Sequence, residues 1–481
     1  MDEHGTVVDA VDELLAILES DTRVSFAEVG GVTRDATEIV GTTKGVRSAN
    51  EWITTGVWCR VFADGSAGYR FSTELSPESL SEMANRATTG GDQLAQSLTG
   101  QVDVASTYRG VHDGWERESV TERPLSEKRE RLTEALDNVT TALDRARVQY
   151  ADERVDCSVA TTADSAVRTT VDRARVDATV VPDGGTKVRR HYGSTRGASL
   201  LDEVADHIAD ADRDAREIAG ASDAARPSGP TTVLLSPEAA GQLCHEIAGY
   251  LAADVAAFGF SPFERGDRLT DAPLTIDDEI RAGSWAAVAY DFEARPSTPV
   301  RLVTQGRVES FLHDTTTASE AEQIPAGNVI PAIGFEQPPR IHHRHLSVHS
   351  GAASQESLLS EADVYVRRFG SPFYRDEFER TQRSGAMPPS SLYAHDVAER
   401  IGTRPDAGTI ELPIAEGFLV DNGELGAAVD STVVWTADAL ETIDGIGRAR
   451  STITGVASKH KSRMPYAVTA PAIRMELQCE P

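Results

Sequence analysis

Residues 231–255 read TTVLLSPEAAGQLCHEIAGYLAADV, and this stretch decides how the second half of the chain is built. The apolar run before Ser236 predicts a short buried strand. Ser236 followed by Pro237 is typical of a helix start, because the serine side chain can accept hydrogen bonds from the first backbone amides and proline is tolerated in the first turn. The apolar residues that follow recur at helical spacing. The stretch therefore predicts a strand that leads directly into an amphipathic helix.

This helix carries the pair His245-Glu246, and such a pair supplies one metal ligand and the general base in several zinc peptidases. Tyr250 follows five residues after His245, which places the two about 140° apart on an ideal helix. A tyrosine hydroxyl, with a pKa near 10, is also a poor zinc ligand. Leu243, Ile247 and Tyr250 share one stripe, so Tyr250 is predicted to be buried. Two interpretations stay open, a purely structural helix and part of a metal site.

A second group of histidines lies in the segment IHHRHLSVH, residues 341–349. Strand-like alternation would place His343, His345 and His349 on one face, with His342 on the other. We expect either an exposed metal site or an ordinary polar strand face here. The sequence does not assign a role to the cluster His342–His349.

The first half of the chain combines strand signals with amphipathic helices. In residues 56–80, GVWCRVFADGSAGYRFSTELSPESL, the pair Asp64-Gly65 between two apolar runs predicts a hairpin. Helical spacing of apolar residues predicts further helices at residues 7–18, 123–151 and about 199–219.

A Gly/Pro-rich stretch at 220–230 predicts a domain boundary. We expect an α+β protein with an N-terminal α/β domain over 1–222, made of an antiparallel, hairpin-rich sheet and long helices. The C-terminal domain, over 230–481, should be mainly antiparallel β with the motif-bearing helix.

The charge balance is strongly acidic. The 481 residues include 47 Lys+Arg against 76 Asp+Glu, a formal net charge of −29, and only five of the basic residues are lysines. This composition favours a salt-rich cytoplasm such as that of a halophilic archaeon over an ordinary acidic protein. The negative electrostatic field of the protein repels phosphate backbones, which disfavours nucleic acid as a partner. No long apolar run or CxxC spacing occurs, so we expect no membrane span and no disulfide or cysteine zinc framework.

Five fragments together resemble the TldD/PmbA family, whose second branch is also called TldE. The fragments are residues 56–80, already quoted, and VLLSPEAAGQLCHEIAGY (233–250), RLVTQGRVESFLHDTTTA (301–318), IAEGFLVDNGELGAAV (414–429) and GVASKHKSRMPYAVTAPAIRM (455–475). The resemblance implies a metallopeptidase dimer. In the catalytic branch it implies a zinc ion held by an HExxxH helix and a cysteine near the C-terminus.

Carried onto this sequence, the resemblance matches His245 to the first ligand and Glu246 to the base, while Tyr250 and Ala457 replace the other two ligands. Because one imidazole cannot retain zinc, we expect no metal, no cofactor and no confident catalytic residue in this chain, with His245 and Glu246 vestigial. The resemblance implies a PmbA/TldE-type cytoplasmic subunit that joins a zinc-bearing TldD-like partner, or forms a homodimer, and acts on unfolded or precursor peptides. The alternatives are an active zinc metallopeptidase with non-standard ligands around His245 and Glu246, and a regulatory protein-binding module.

Overall fold

The computed structural model describes residues 3–64, 66–89, 106–115, 119–139, 145–181, 187–220, 224–257, 259–330, 334–374, 408–459 and 462–481. The chain is a mixed α+β protein with two large sheets, as predicted. The first half contains α1 (Glu3–Ser20), β1 (Val24–Thr42), β2 (Gly45–Ala63), β3 (Ser66–Ser72), α2 (Pro77–Thr89), β4 (Arg109–His112), α3 (Leu125–Val139), β5 (Arg145–Thr161), β6 (Ala166–Val181), β7 (Val188–Ser194) and α4 (Val204–Gly220).

These strands form one sheet in the order β3-β2-β1-β5-β6-β4, with β7 also paired to β6. The predicted hairpin joins β2 to β3, whose last register pair is Ala63 with Ser66, and Asp64 has the positive φ that a tight turn requires. The helix predicted at 7–18 lies within α1, and the buried side of α1 packs against β1.

The two faces of this sheet have different neighbours. Val29 and Val61 face α1 and α2, whereas Trp58 points the other way and stacks on Phe292 of the second half, with ring centroids 4.8 Å apart. Gly30 lies opposite Trp58 in the register, and a Cβ at Gly30 would lie 2.2 Å from the indole. Four helices therefore cover one face, and the second half of the chain packs on part of the other.

Arg60 links the same two layers by charge. Its guanidinium donates to both carboxylate oxygens of Glu28 in β1, at 2.5 and 2.7 Å, and to Glu293 of the second half at 2.5 Å. Burial raises the pKa of Glu28 to about 8; Arg60 opposes that rise and the negative charges of Glu293 and Asp291 add to it. At this junction between the two halves, one guanidinium group therefore binds two carboxylates.

The second half contains β8 (Gly229–Leu235), α5 (Pro237–Tyr250), α6 (Ala253–Ala257), β9 (Ile276–Glu279), β10 (Val300–Thr304), β11 (Arg307–Val308), α7 (Thr315–Glu320), β12 (Val329–Ile330), β13 (Arg340–Ile341), β14 (His345–Val348), α8 (Gln355–Leu359), β15 (Val364–Phe369), β16 (Phe373–Tyr374), β17 (Ile410–Asp421), β18 (Glu424–Ala428), β19 (Thr432–Trp435), β20 (Gly445–Lys459) and β21 (Ser462–Glu480). Its sheet runs β11-β10-β9-β14-β21-β19-β17-β15-β8, and β8 pairs back onto β21. The five strands from β21 to β8 thus close into a ring against which α5 packs.

One predicted helix was too long. Residues 123–151 were expected to be helical throughout, but α3 ends at Val139 and β5 begins at Arg145. Ala146, Val148 and Tyr150 are buried in alternation, the period of a strand, and the polar residues between them resemble an exposed helix face. Leu143 of the expected helical stripe lies outside the described residues. The boundary at 222–230 stays a prediction.

No helix in the described part of the chain is long and apolar enough to cross a membrane. All four cysteines are free thiols.

Candidate functional site

Helix α5 begins as its sequence predicts. Ser236 caps it by accepting hydrogen bonds from the backbone amides of Glu238 and Ala239, at 3.1 and 3.0 Å, and Pro237 occupies the first turn. The Ser236 hydroxyl also donates to the carbonyl oxygen of Arg367 in β15, at 2.6 Å. This cap attaches the start of the helix to the closed ring of strands, which determines where His245 lies.

His245 is buried, and it lies on the side of α5 opposite to the apolar face that packs into the core. Its ring stacks on Tyr466 of β21, with centroids 3.8 Å apart and 14° between the planes. Tyr466 reaches this position because its neighbour across the β20–β21 ladder is Gly455; a Cβ there would lie 2.5 Å from the phenol ring. The pair Gly455 and Tyr466 therefore shapes the back of the site, a contribution that sequence reasoning missed.

The structure brings His245 together with two histidines that are almost one hundred residues away in the chain. His245 Nδ1 lies 2.6 Å from His343 Nε2, and His342 Nδ1 donates to the carbonyl oxygen of His343 at 2.7 Å. One ring nitrogen from each of the three residues lies within 4.8 Å of the other two. Burial lowers the pKa of His245 well below its ordinary value, with the nearby His342 adding to the effect, so His245 is neutral at physiological pH.

Arg344 determines where these two histidines lie. It is fully buried, and its side chain and backbone amide donate to Asp278 in β9 at 2.7 to 2.9 Å. Because the segment before β14 is attached to β9 in this way, His342 and His343 are directed toward α5. In the sequence, only the Asp277-Asp278 pair indicates an anchor for Arg344, and Asp278 lies 66 residues away from it.

The expectation that His343, His345 and His349 share an exposed strand face was wrong. The segment before His345 is not a strand, so its side chains do not alternate with those of β14. His345 is buried between Ser284 and Thr469, with 2.8 Å to each hydroxyl, and His349 contacts Asp277 at 2.7 Å. Only His342 and His343 of this group reach His245.

The remaining two positions taken from the family resemblance do not complete a metal site. The ring of Tyr250 is buried and stacks against Trp435 of β19, with centroids 6.4 Å apart, on the core side of α5. Ala457 of β20 lines the same groove as His245 and Glu246 but has no donor atom. Zinc coordination at positions 245, 250 and 457 therefore does not fit the residues present.

A groove with a volume of about 770 Å³ opens in front of His245. Strands β7, β17, β20 and β21 and helix α5 all contribute to its wall, so it lies between the first-half sheet and the closed ring. Glu246 is half-buried in this wall, beside His245. The groove is large enough to accept several side chains of an extended ligand.

Two family models match the chain: PmbA/TldA metallopeptidase domain 1 over residues 27–89, and the PmbA/TldA metallopeptidase C-terminal domain over residues 228–373. A metalloprotease of Methanothermobacter thermautotrophicus is 25% identical over 479 residues, covering 95% of this chain and 96% of its own length. A metalloprotease of Methanocaldococcus jannaschii is 21% identical and covers 87% of each chain.

Solved structures share the fold over almost the whole length. TldE from Thermococcus kodakarensis superposes with a TM-score of 0.67 at 14% identity, covering 98% of this chain and 99% of that one. A Thermotoga maritima protein named as a candidate modulator of a DNA gyrase superposes with a TM-score of 0.70 at 18% identity, covering 98% of this chain and all of that one. The two matched domains and the full-length relatives support the TldD/PmbA (TldE) family, and the solved structures show the same fold.

Proposed function

We propose that this chain is a PmbA/TldE-type subunit without a complete family zinc site, which acts with a TldD-like catalytic subunit in the proteolysis of unfolded or precursor peptides. The observation that carries the proposal is the arrangement at the expected ligand positions. Tyr250 packs into the core against Trp435, and Ala457 presents only a methyl group to the groove that contains His245 and Glu246. Three ligands are needed to hold a catalytic zinc ion with one position left for water, and this arrangement offers one.

The groove itself supports a role in holding peptide. It has walls from both halves of the chain, and relatives that align over most of their length are named metalloproteases. In the proposed complex this chain contributes binding surface, and the partner contributes the metal and the cleavage. His245 and Glu246 then remain as groove wall, with the neutral imidazole stacked on Tyr466.

We place the complex in a reducing cytoplasm, supported by four free thiols of which three are buried. The net charge of −29 with few lysines supports a salt-rich one.

Co-purification tests the subunit role. A tagged chain expressed in its native host should recover a TldD-like subunit, and the purified pair should degrade an unfolded peptide while the chain alone does not. The chain alone should also contain no stoichiometric zinc. A homodimer with chelator-sensitive peptidase activity that disappears in Glu246→Gln would overturn the proposal, and so would recovery of the chain with no TldD-like subunit.

The histidine cluster favours a second candidate, a metallopeptidase with non-standard ligands. Three buried histidines, each with a ring nitrogen within 4.8 Å of the other two, form a donor set that zinc accepts. Against this, the 2.6 Å between His245 Nδ1 and His343 Nε2 is a hydrogen-bond distance. Two nitrogen ligands on one tetrahedral zinc ion lie about 3.3 Å apart, so the rings would have to separate. Glu246, the next residue after His245 on α5, would then be the candidate proton acceptor.

Cobalt titration separates the two candidates. A stoichiometric visible absorption band in the wild type that is lost in His343→Ala, but kept in His349→Ala, would favour the second candidate. His349 is the matched control because it lies in the same segment and contacts Asp277 instead of the cluster. The first candidate predicts no such band in any of the three proteins.

A further inference from the structure

The groove in front of His245 has a charge opposite to that of the chain as a whole. Across the sequence, acidic residues outnumber basic ones by 76 to 47. Along the groove wall the order is reversed: three acidic residues, Asp177, Glu246 and Glu416, stand against six basic ones, Arg175, Lys187, Arg189, Arg190, Arg368 and Arg463. In a protein with so few basic residues, this concentration at one cavity requires a physical reason.

Ion pairs within the protein account for only three of the six basic residues. Arg175 pairs with Asp177, Arg190 with Glu416 and Asp214, and Arg368 with Glu238. Lys187, Arg189 and Arg463 are exposed, and none of them makes an ion pair in the described part of the chain. These three cations therefore face the groove or its rim without a counter-charge from the described residues, and they contribute little to holding the fold together.

A smaller cavity of about 230 Å³ adjoins the groove, since Arg175 and Arg463 line both cavities. Four basic residues line it, Arg34, Arg173, Arg175 and Arg463, against three acidic ones, Glu38, Asp152 and Glu153, and Asp152 is paired with Lys128. Of these residues, Arg173 is only 5% exposed. The nearest carboxylate to Arg173 is Glu153 at 3.8 Å, which already binds Arg34 at 2.5 Å. Among the described residues the Arg173 Nε atom has no hydrogen-bond partner. Two guanidinium groups thus share one carboxylate, which leaves an excess positive charge beside the groove.

We propose that the groove and this side cavity bind an acidic segment of polypeptide, with Lys187, Arg189 and Arg463 as the cations that receive its carboxylates. Planar guanidinium groups pair well with carboxylates, and the resulting hydrogen bonds are stronger than neutral ones. A polypeptide is favoured over a nucleic acid because the net charge of −29 repels an extended polyanion, whereas a short acidic segment can enter a positive groove. The proposal rests on the proposed function, because it names the class of peptide that the subunit holds.

Fluorescence anisotropy with the full-length chain tests this. The probes are two fluorescein-labelled unfolded peptides of equal length, one with Glu residues and one with Gln at the same positions. The acidic peptide should bind at least about tenfold more tightly, and added salt should reduce the difference. In the triple variant Lys187→Gln, Arg189→Gln, Arg463→Gln the preference should disappear. The matched control Arg86→Gln, Arg129→Gln, Arg213→Gln changes the net charge equally at exposed helical positions outside both cavities, and it should keep the preference.

Equal binding of the two peptides, absence of binding, or equal loss of preference in the control variant would overturn the proposal. A short single-stranded oligonucleotide that displaces the acidic peptide at equal concentration would also overturn it, because the groove would then select charge without selecting peptide. The subunit role can fail separately. Co-purification with a TldD-like subunit but no preference for acidic peptide contradicts this inference alone, whereas the preference without that partner contradicts the proposed function alone.

Discussion

Replacing Arg190 by methionine should destabilise the contact between the two halves of the chain. Arg190 in β7 donates two hydrogen bonds to Glu416 in β17, at 2.5 and 2.8 Å, and a third to Asp214 in α4 at 2.6 Å. The Glu416 side chain is 3% exposed and the Asp214 side chain 20%. Among the described residues, Arg190 is the only basic residue that pairs with Glu416.

The loss of stability depends on how well the remaining carboxylates are hydrated or paired once the guanidinium group is removed. Removing one partner of a buried ion pair costs about 3–5 kcal/mol, because the remaining charge has neither water nor a counter-ion. Asp214 is partly hydrated and has Arg367 at 4.0 Å, so most of the cost belongs to Glu416. Removing that carboxylate as well, in Arg190→Met with Glu416→Leu, should return the stability to within about 2 kcal/mol of the wild type.

Urea unfolding followed by both tryptophan fluorescence and circular dichroism measures this, since coincidence of the two signals checks that one transition is observed. Arg213→Met, at an exposed site on α4, is the control and should change the stability by less than about 0.5 kcal/mol. The reasoning is refuted if Arg190→Met costs less than about 1 kcal/mol, or if the double variant is as unstable as the single one.

Three further predictions concern the first-half sheet. The pKa of Glu28 rises from 4.5 to about 8 in the folded protein, so its contribution to stability is complete below pH 4.5 and is lost as the pH rises toward 8. Between pH 6 and 8 the wild type should lose about 2 kcal/mol relative to Glu28→Gln, and identical pH profiles of unfolding would contradict this. Gly30→Ala should cost about 1–3 kcal/mol because the indole opposite it cannot move, whereas Gly426→Ala, where only one backbone atom is near, should be almost neutral in thermal melts. Lys128→Met should cost about 3–5 kcal/mol by isolating buried Asp152, and Asp152→Leu in the same chain should restore more than half of that in urea titrations.

Local sequence was sufficient wherever neighbouring residues decide the structure. The Ser236-Pro237 helix start, the burial of Tyr250 and the hairpin at Asp64 were all predicted, because caps, stripes and turns depend on a few consecutive residues. The error at residues 145–151 has the same origin. Polar and apolar residues alternate there directly after a charged helical segment, and the polar ones resemble a continuation of its exposed face, but the buried partners that select a strand come from β1 and β6.

The candidate site could not be predicted as a unit, because its members meet only through long-range contacts. His245 and His343 lie 98 residues apart, and they meet because Arg344 is bound to Asp278 while Ser236 attaches α5 to β15. The sequence did pose the alternative of non-standard ligands around His245, but alternation grouped His343 with His345 and His349, whereas the structure groups it with His342. A strand period does not apply where the chain is not a strand.

By itself the sequence determined the secondary-structure class, the acidic charge, the family resemblance and the substitutions at positions 250 and 457, since these depend on composition and local pattern. The tertiary structure alone decided that Tyr250 points into the core, that three histidines converge, and that scattered basic residues collect around one groove. The physical reason is that periodicity determines which face of an element is apolar. Which faces meet, and which charges then share a cavity, is decided by packing between strands and helices that lie far apart in the chain.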